Sequence, residues 1–225
     1  MKRSAVLFDL DGTLVDSLDD LADAMNTVLG RNGFLPHPVD AYRYFVGDGM
    51  EMLVRRALPE ARRDEGTVSR CLGEMKGEYE ERWACKTRPY PGIPELLSAL
   101  AGRGIPMAVL SNKPEDATLG VVERLLCSWT FAAVCGARPG LPKKPDPSGA
   151  LEIASRLGIA PEAWVYAGDT GTDMKTANAA GMFAVGVLWG FRGAEELTAA
   201  GARILVRHPL DVLGCLGCSS SLARH

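Results

Sequence analysis

At 225 residues, with 47% hydrophobic and 24% charged side chains, the chain has the composition of a globular protein that can bury a core of its own. Its formal net charge of -3 argues against a surface built for nucleic acid or anionic membrane. No apolar run approaches the roughly 20 residues of a membrane span or the roughly 7–15 of a secretory core, so a cytoplasmic location with largely reduced cysteines is expected.

The first element is a short apolar run at residues 4–8 that stops abruptly at Asp9 and reads as a buried strand. Leu18, Leu21, Ala22, Met25, Val28 and Leu29 then recur at helical spacing, opened by Asp16-Ser17 as a cap and closed near Gly33. The basic pairs Arg55-Arg56 and Arg62-Arg63 lie among acidic neighbours, as on a solvated helix face. Val68, Leu72, Met75 and Tyr79 form a second amphipathic series, and the chain returns to a sheet near Pro89-Tyr90-Pro91-Gly92. Apolar runs follow at residues 105–110, 131–135, 164–167 and 183–188. Between them lie helical patterns, with Ala117, Val121, Val122 and Leu125 on one face and Leu151, Ala154 and Leu157 on another. Strands alternating with helices indicate βαβ units. The expected class is α/β, a Rossmann-like parallel-sheet core at residues 1–15 and 87–214. A small α-helical cap is inserted at 16–86, and a tail follows at 215–225.

Several residues read as structural. Cys71, Cys85, Cys127 and Cys135 look like small buried hydrophobes. Cys215-x-x-Cys218 lacks the partner set or βαβ setting that a redox or metal role needs. His37, His208 and His225 fall in loops or the tail with no nucleophile to serve, and the four tryptophans read as packing. Gly47-x-Gly49 lacks the third glycine and preceding strand of a dinucleotide fingerprint.

Four polar clusters sit just past strand ends, the edge where open parallel sheets bind ligands. Asp9-Leu10-Asp11-Gly12-Thr13 places two carboxylates side by side, a costly pairing unless something uses their charge. Ser111-Asn112-Lys113-Pro114 offers a hydroxyl and backbone N–H groups at an expected helix start, with Pro114 in the first helical position, suited to an anion. Lys143-Lys144-Pro145-Asp146-Pro147 is a basic loop, and Gly168-Asp169-Thr170-Gly171-Thr172-Asp173 opens another helix. Singly each has an ordinary explanation; Gly-Asp-x-x-x-Asp, for instance, suits a helix start with Asp as its cap. Their order along the chain is harder to explain that way.

Asp9-x-Asp11-Gly12-Thr13-Leu14-x-Asp16-Ser17 resembles the first motif of the haloacid dehalogenase-like hydrolases. Ser111-Asn112-Lys113-Pro114 is similar to the second, Lys144-Pro145-x-Pro147 to the third and Gly168-Asp169-x-x-x-Asp173 to the fourth. Ser111 stands where many relatives carry Thr, which keeps the hydroxyl. Val46-Gly47-Asp48-Gly49 and Gly186-Val187-x-Trp189-Gly190 resemble the phosphoglycolate phosphatase branch.

The resemblance implies a phosphatase in which Asp9 attacks phosphorus and Asp11 is general acid and base. Mg²⁺ would be held by Asp9, Asp169 and the backbone carbonyl of Asp11, with Asp173 orienting Asp169 and metal waters from behind. Ser111, Asn112 and Lys144 would bind the phosphoryl group, while Thr13 fixes the turn after the first strand. The partner expected is a small phosphorylated metabolite, with no nucleic acid and no membrane; a homodimer stays open. A phosphomutase of the same family and a non-enzymatic phospho-acceptor domain stay open as alternatives.

Overall fold

Every residue of the first strand, β1 (Ala5–Phe8), is buried in the computed structural model, which describes residues 2–217. A strand with no exposed face needs helices on both sides of its sheet, and the chain supplies them. The elements continue as β2 (Val15–Asp16), α1 (Leu18–Arg31), α2 (Tyr42–Phe45), α3 (Met50–Ala57), α4 (Glu65–Arg82) and β3 (Arg88–Pro89). Then come α5 (Ile93–Gly102), β4 (Met107–Pro114), α6 (Glu115–Leu125), β5 (Ala133–Ala137) and α7 (Ser148–Arg156). The last are β6 (Trp164–Gly168), α8 (Gly171–Ala179), β7 (Phe183–Val187), α9 (Ala194–Ala199) and β8 (Ile204–Val206).

Six strands form one sheet in the order β5-β4-β1-β6-β7-β8, every neighbouring pair parallel. This is the α/β class that the alternating pattern indicated. β1 lies between β4 and β6, with Phe8 in register with Val109 on one side and Ala167 on the other. The chain therefore leaves β1, β4 and β6 side by side at one edge of the sheet. One face of the core gathers Leu7, Leu110, Ile153, Trp164, Tyr166 and Met174, all buried.

By packing, the chain divides into Val15–Arg88 and a sheet-bearing unit made of the segments before and after it. Within Val15–Arg88, α1 and α4 pack together. Val68, Cys71, Met75 and Tyr79 are the inward residues of α4, so Cys71 takes a place expected for Leu72, which is half-buried. Asp20 is 1% exposed and accepts hydrogen bonds from the backbone N–H groups of Lys86 and Thr87 and from the Thr87 hydroxyl. That carboxylate ties the end of this unit to its first helix.

The structure corrects several expectations. The helix expected to start with Pro114 in its first turn starts at Glu115, because Pro114 is extended at ψ 143 and the strand runs on through Ser111–Lys113. Room for that extension comes from Gly136, where a Cβ would strike the backbone of Glu115. Ser17 precedes α1 but its hydroxyl makes no capping bond; the Leu18 N–H donates instead to Asp16 Oδ1 at 3.3 Å. Cys85 and Cys127 are exposed, lying in turns just past α4 and α6, while Cys215 is buried in a 3-10 helix rather than in a tail. Cys218 and His225 lie outside the described residues.

Asp20→Ala removes the acceptor for the buried Thr87 N–H and hydroxyl and the part-buried Lys86 N–H. It is expected to lower unfolding free energy by about 3 kcal/mol, read from urea denaturation; a loss under about 0.5 kcal/mol, the usual range for a surface change, would contradict the clamp.

Candidate active site

Asp9 follows β1 directly, and its backbone N–H donates to the Ala167 carbonyl of β6, so the strand pairing carries one residue beyond Phe8. Asp9 is 6% exposed, and its Oδ1 accepts from Lys144 Nζ at 2.7 Å. The same ammonium donates to Asp173 Oδ1 at 2.7 Å and to the Leu110 carbonyl at 3.2 Å. Burial pulls the Lys144 ammonium toward losing its proton, but the Asp173 and Asp9 carboxylates outweigh it and hold its pKa well above the usual lysine value. Lys144 is a fixed cation.

Lys144 is delivered by Asn112. The Asn112 amide donates through Nδ2 to the Lys144 carbonyl at 3.1 Å, and its Oδ1 accepts from the Lys144 N–H at 2.9 Å. Through this paired bond the Asn112 side chain staples the lysine loop to β4. Ser111, 4% exposed, stands beside it and accepts from the Lys113 N–H.

Asp169 follows β6 and is fully buried. Oδ2 accepts from the Phe191 N–H at 2.8 Å and Oδ1 from the Thr13 hydroxyl at 3.1 Å. Thr13 thus orients Asp169, a task the expected turn-fixing role did not include, and its carbonyl accepts from Trp189 Nε1. The loop carrying Phe191 is braced by Arg192, which pairs with Glu196, whose other oxygen accepts from the Gly171 N–H at the start of α8. Two glycines press on Asp169. A Cβ at Gly12, whose φ is +88°, or at Gly190 would fall on its side chain, and at Gly190 also on the Gly12 carbonyl.

Asp173 is held from two sides: its Oδ2 closes a capping box with Thr170 at the start of α8, and its Oδ1 accepts from Lys144 and from the Tyr166 hydroxyl at 3.2 Å. It thereby helps to position Lys144.

Oxygens of Asp9, Asp169 and Asp173 lie within 4.8 Å of one another, all buried. Asp11 contributes no side-chain oxygen to this group. Burial foremost, then repulsion from Asp173, holds the Asp9 carboxyl well above the usual carboxylate range. The same two causes push Asp169 up to about 7. Three carboxylates against one ammonium form a site short of positive charge, and hard oxygen donors suit a divalent cation.

Asp11 points elsewhere. Both its oxygens lie 3.1 Å from Lys113 Nζ, an ammonium only 6% exposed. Lys113 received no role from the sequence. The segment was read as a helix start; in the structure it belongs to β4, where the ladder shifts register between Leu110 and Pro114 and the Lys113 N–H turns back to the Ser111 hydroxyl. Tyr166, Thr170 and Arg192 were missed for another reason, since their roles arise only from tertiary approach.

The family model described as haloacid dehalogenase-like hydrolase matches residues 6–187. The phosphoglycolate phosphatase of Pseudomonas putida is 33% identical over 89% of this chain and 75% of its own. That of Escherichia coli K12 is 30% identical over 96% of this chain and 93% of its own. A crystal structure from Lactobacillus delbrueckii subsp. bulgaricus, provisionally assigned as a phosphoglycolate phosphatase, superposes with a TM-score of 0.91 at 31% identity. It covers 97% of this chain and 100% of its own.

Gly190→Ala places a methyl group against Asp169 with backbone behind it. Divalent-cation affinity, followed as the metal-induced rise in Tm, is expected to weaken by about 10–100-fold, the usual effect of displacing what positions a ligand. An unchanged metal response would show that the Gly190 contact does not hold Asp169 in place.

Proposed function

The chain belongs to the haloacid dehalogenase-like hydrolases, and within that family we propose a Mg²⁺-dependent phosphatase that cleaves 2-phosphoglycolate through an aspartyl-phosphate on Asp9. Membership and relatives make it a phosphoric monoester hydrolase. The observation that carries the mechanism is the division of labour between two carboxylates two residues apart. Asp9 sits on the Lys144 ammonium within the buried acidic group, and Asp11 stands clear of that group on its own ammonium.

Asp9, Asp169 and the Asp11 carbonyl are the ligand set we propose for Mg²⁺. When bound, the ion supplies positive charge where two negative reactants must meet. The protein groups do the rest. An Asp9 oxygen attacks phosphorus as the bond to the bridging oxygen breaks, and Asp11 gives that oxygen its proton. Lys144 and the Ser111 hydroxyl hold the phosphoryl oxygens while charge spreads over them. Water then attacks phosphorus, Asp11 takes its proton, and the phosphorus–oxygen bond to Asp9 breaks to release phosphate. Asp173 and Asn112 keep Lys144 in place.

The helical unit Val15–Arg88 is proposed as the cap that sets specificity. Supporting a small anionic substrate are the names of the relatives and the start of α3, where Gly47 and Gly49 take φ of 122° and 91° ahead of Met50. Arg55 is a poor candidate for reading substrate charge there, because Glu51 and Glu65 both engage it.

Asp9→Asn is expected to abolish phosphate release, since an amide does not attack phosphorus; activity within tenfold of wild type would mean another nucleophile. Asp11→Asn should slow alkyl phosphates by about 10²–10⁴-fold and p-nitrophenyl phosphate far less, because that leaving group needs little protonation. Equal losses would remove Asp11 from the acid role.

The substrate itself is tested by kcat/KM for 2-phosphoglycolate, glucose 6-phosphate and pyrophosphate in Mg²⁺ and in EDTA. A preference of at least about tenfold for 2-phosphoglycolate, lost in EDTA, is expected. A flat profile would overturn the substrate while leaving the phosphatase chemistry.

A further inference from the structure

The ammonium of Lys113 is buried, lies on β4 beside Ser111, and is aimed at the general acid rather than at the nucleophile. Phosphoryl oxygens already have Lys144, which sits on Asp9. A second buried lysine 3.1 Å from both oxygens of Asp11 stands on the leaving-group side of the phosphorus, because Asp11 must meet the bridging oxygen to protonate it. We propose that Lys113 is the core residue that reads the substrate's carboxylate, so that part of the specificity for 2-phosphoglycolate lies in β4 rather than in the helical unit. This rests on the substrate reading above and adds the group that would enforce it.

Lys113 grips Asp11 through both oxygens. When one Asp11 oxygen turns to the bridging oxygen, that grip loses one of its two bonds, and a donor direction of the ammonium opens beside the leaving group. In 2-phosphoglycolate the carboxylate carbon is two covalent bonds from the bridging oxygen, so its oxygens fall within the reach of an ammonium that was touching Asp11. A compact point charge with several donors can hold both carboxylates at once. An uncharged alkyl group in the same place offers Lys113 nothing, so the preference is a difference of affinities between the two substrates. Ser111, two residues earlier on β4, keeps the groups proposed for the phosphoryl oxygens and for the carboxylate within one segment.

The decisive comparison is 2-phosphoglycolate against ethyl phosphate, in which a methyl group replaces the carboxylate. Wild type is expected to prefer 2-phosphoglycolate, and Lys113→Met to lose that preference by about 10–100-fold, the usual worth of a hydrogen bond to a charged group. Both rates fall in the variant, because Asp11 loses its partner, but this loss is common to the two substrates and cancels in the ratio. A second readout avoids chemistry altogether. Calorimetric affinity for 3-phosphonopropionate, relative to propylphosphonate, should drop by a similar factor in Lys113→Met and be largely restored in Lys113→Arg. An unchanged substrate ratio with both rates lowered would overturn the proposal and leave Lys113 as a positioning residue for Asp11. No preference in wild type would overturn the substrate reading itself, and the assignment of Lys113 with it.

Discussion

The buried contact between Lys144 and the two carboxylates Asp9 and Asp173 is the constraint on which the rest of the site depends. A lysine removed from water is tolerated only where anions repay its desolvation, and here two do so at 2.7 Å each. Asp169 joins them within the same small volume, which leaves three carboxylates facing one ammonium. The excess negative charge is visible in Asp9 and Asp169, both held above the ordinary carboxylate range by burial and by Asp173. In the proposed function, a bound cation and the substrate phosphate would complete the charge balance of this cluster.

The sheet makes this arrangement inexpensive to hold. Because β1 lies between β4 and β6, the residues following three adjacent strands meet without any long excursion of the chain. Each acidic residue then has its own rigid support. Asp9 continues the β1 pairing through its backbone, Asp169 is fixed by Thr13 and the Phe191 N–H, and Asp173 is locked into the first turn of α8. Gly12 and Gly190 matter because other residues would put a side chain where Asp169 must be. Preorganisation of this kind keeps charged groups where reaction needs them without reorganisation during the step.

Much of this was legible in the sequence. Short apolar runs alternating with helical patterns revealed β1 and β4–β7 and, with them, the edge where chemistry gathers. Where legibility failed, the physical reasons differ. β8 has only three residues, too few for a pattern to stand out beside Arg203 and Arg207. Residues 111–113 were expected in a helix start because Pro114 so often opens one, yet Gly136 allows the strand to continue. That single misreading concealed Lys113. Asn112 and Asp173 were placed in the site, but their partners could not be read from one strand at a time. Asn112 bonds the backbone of a loop 32 residues away, and Asp173 faces a lysine 29 residues earlier.

The proposed Mg²⁺ site requires a divalent cation to complete this buried acidic cluster. Asp169, at about 7, binds a proton under mildly acidic conditions, and a ligand oxygen must lose its proton to hold a metal. Isothermal titration of Mg²⁺ into the protein at pH 6, in buffers of differing ionisation enthalpy, counts the protons displaced. Release of about one proton or more per ion is expected at pH 6, declining as the pH rises past about 8. Binding without proton release at pH 6, or no binding at all, would contradict it.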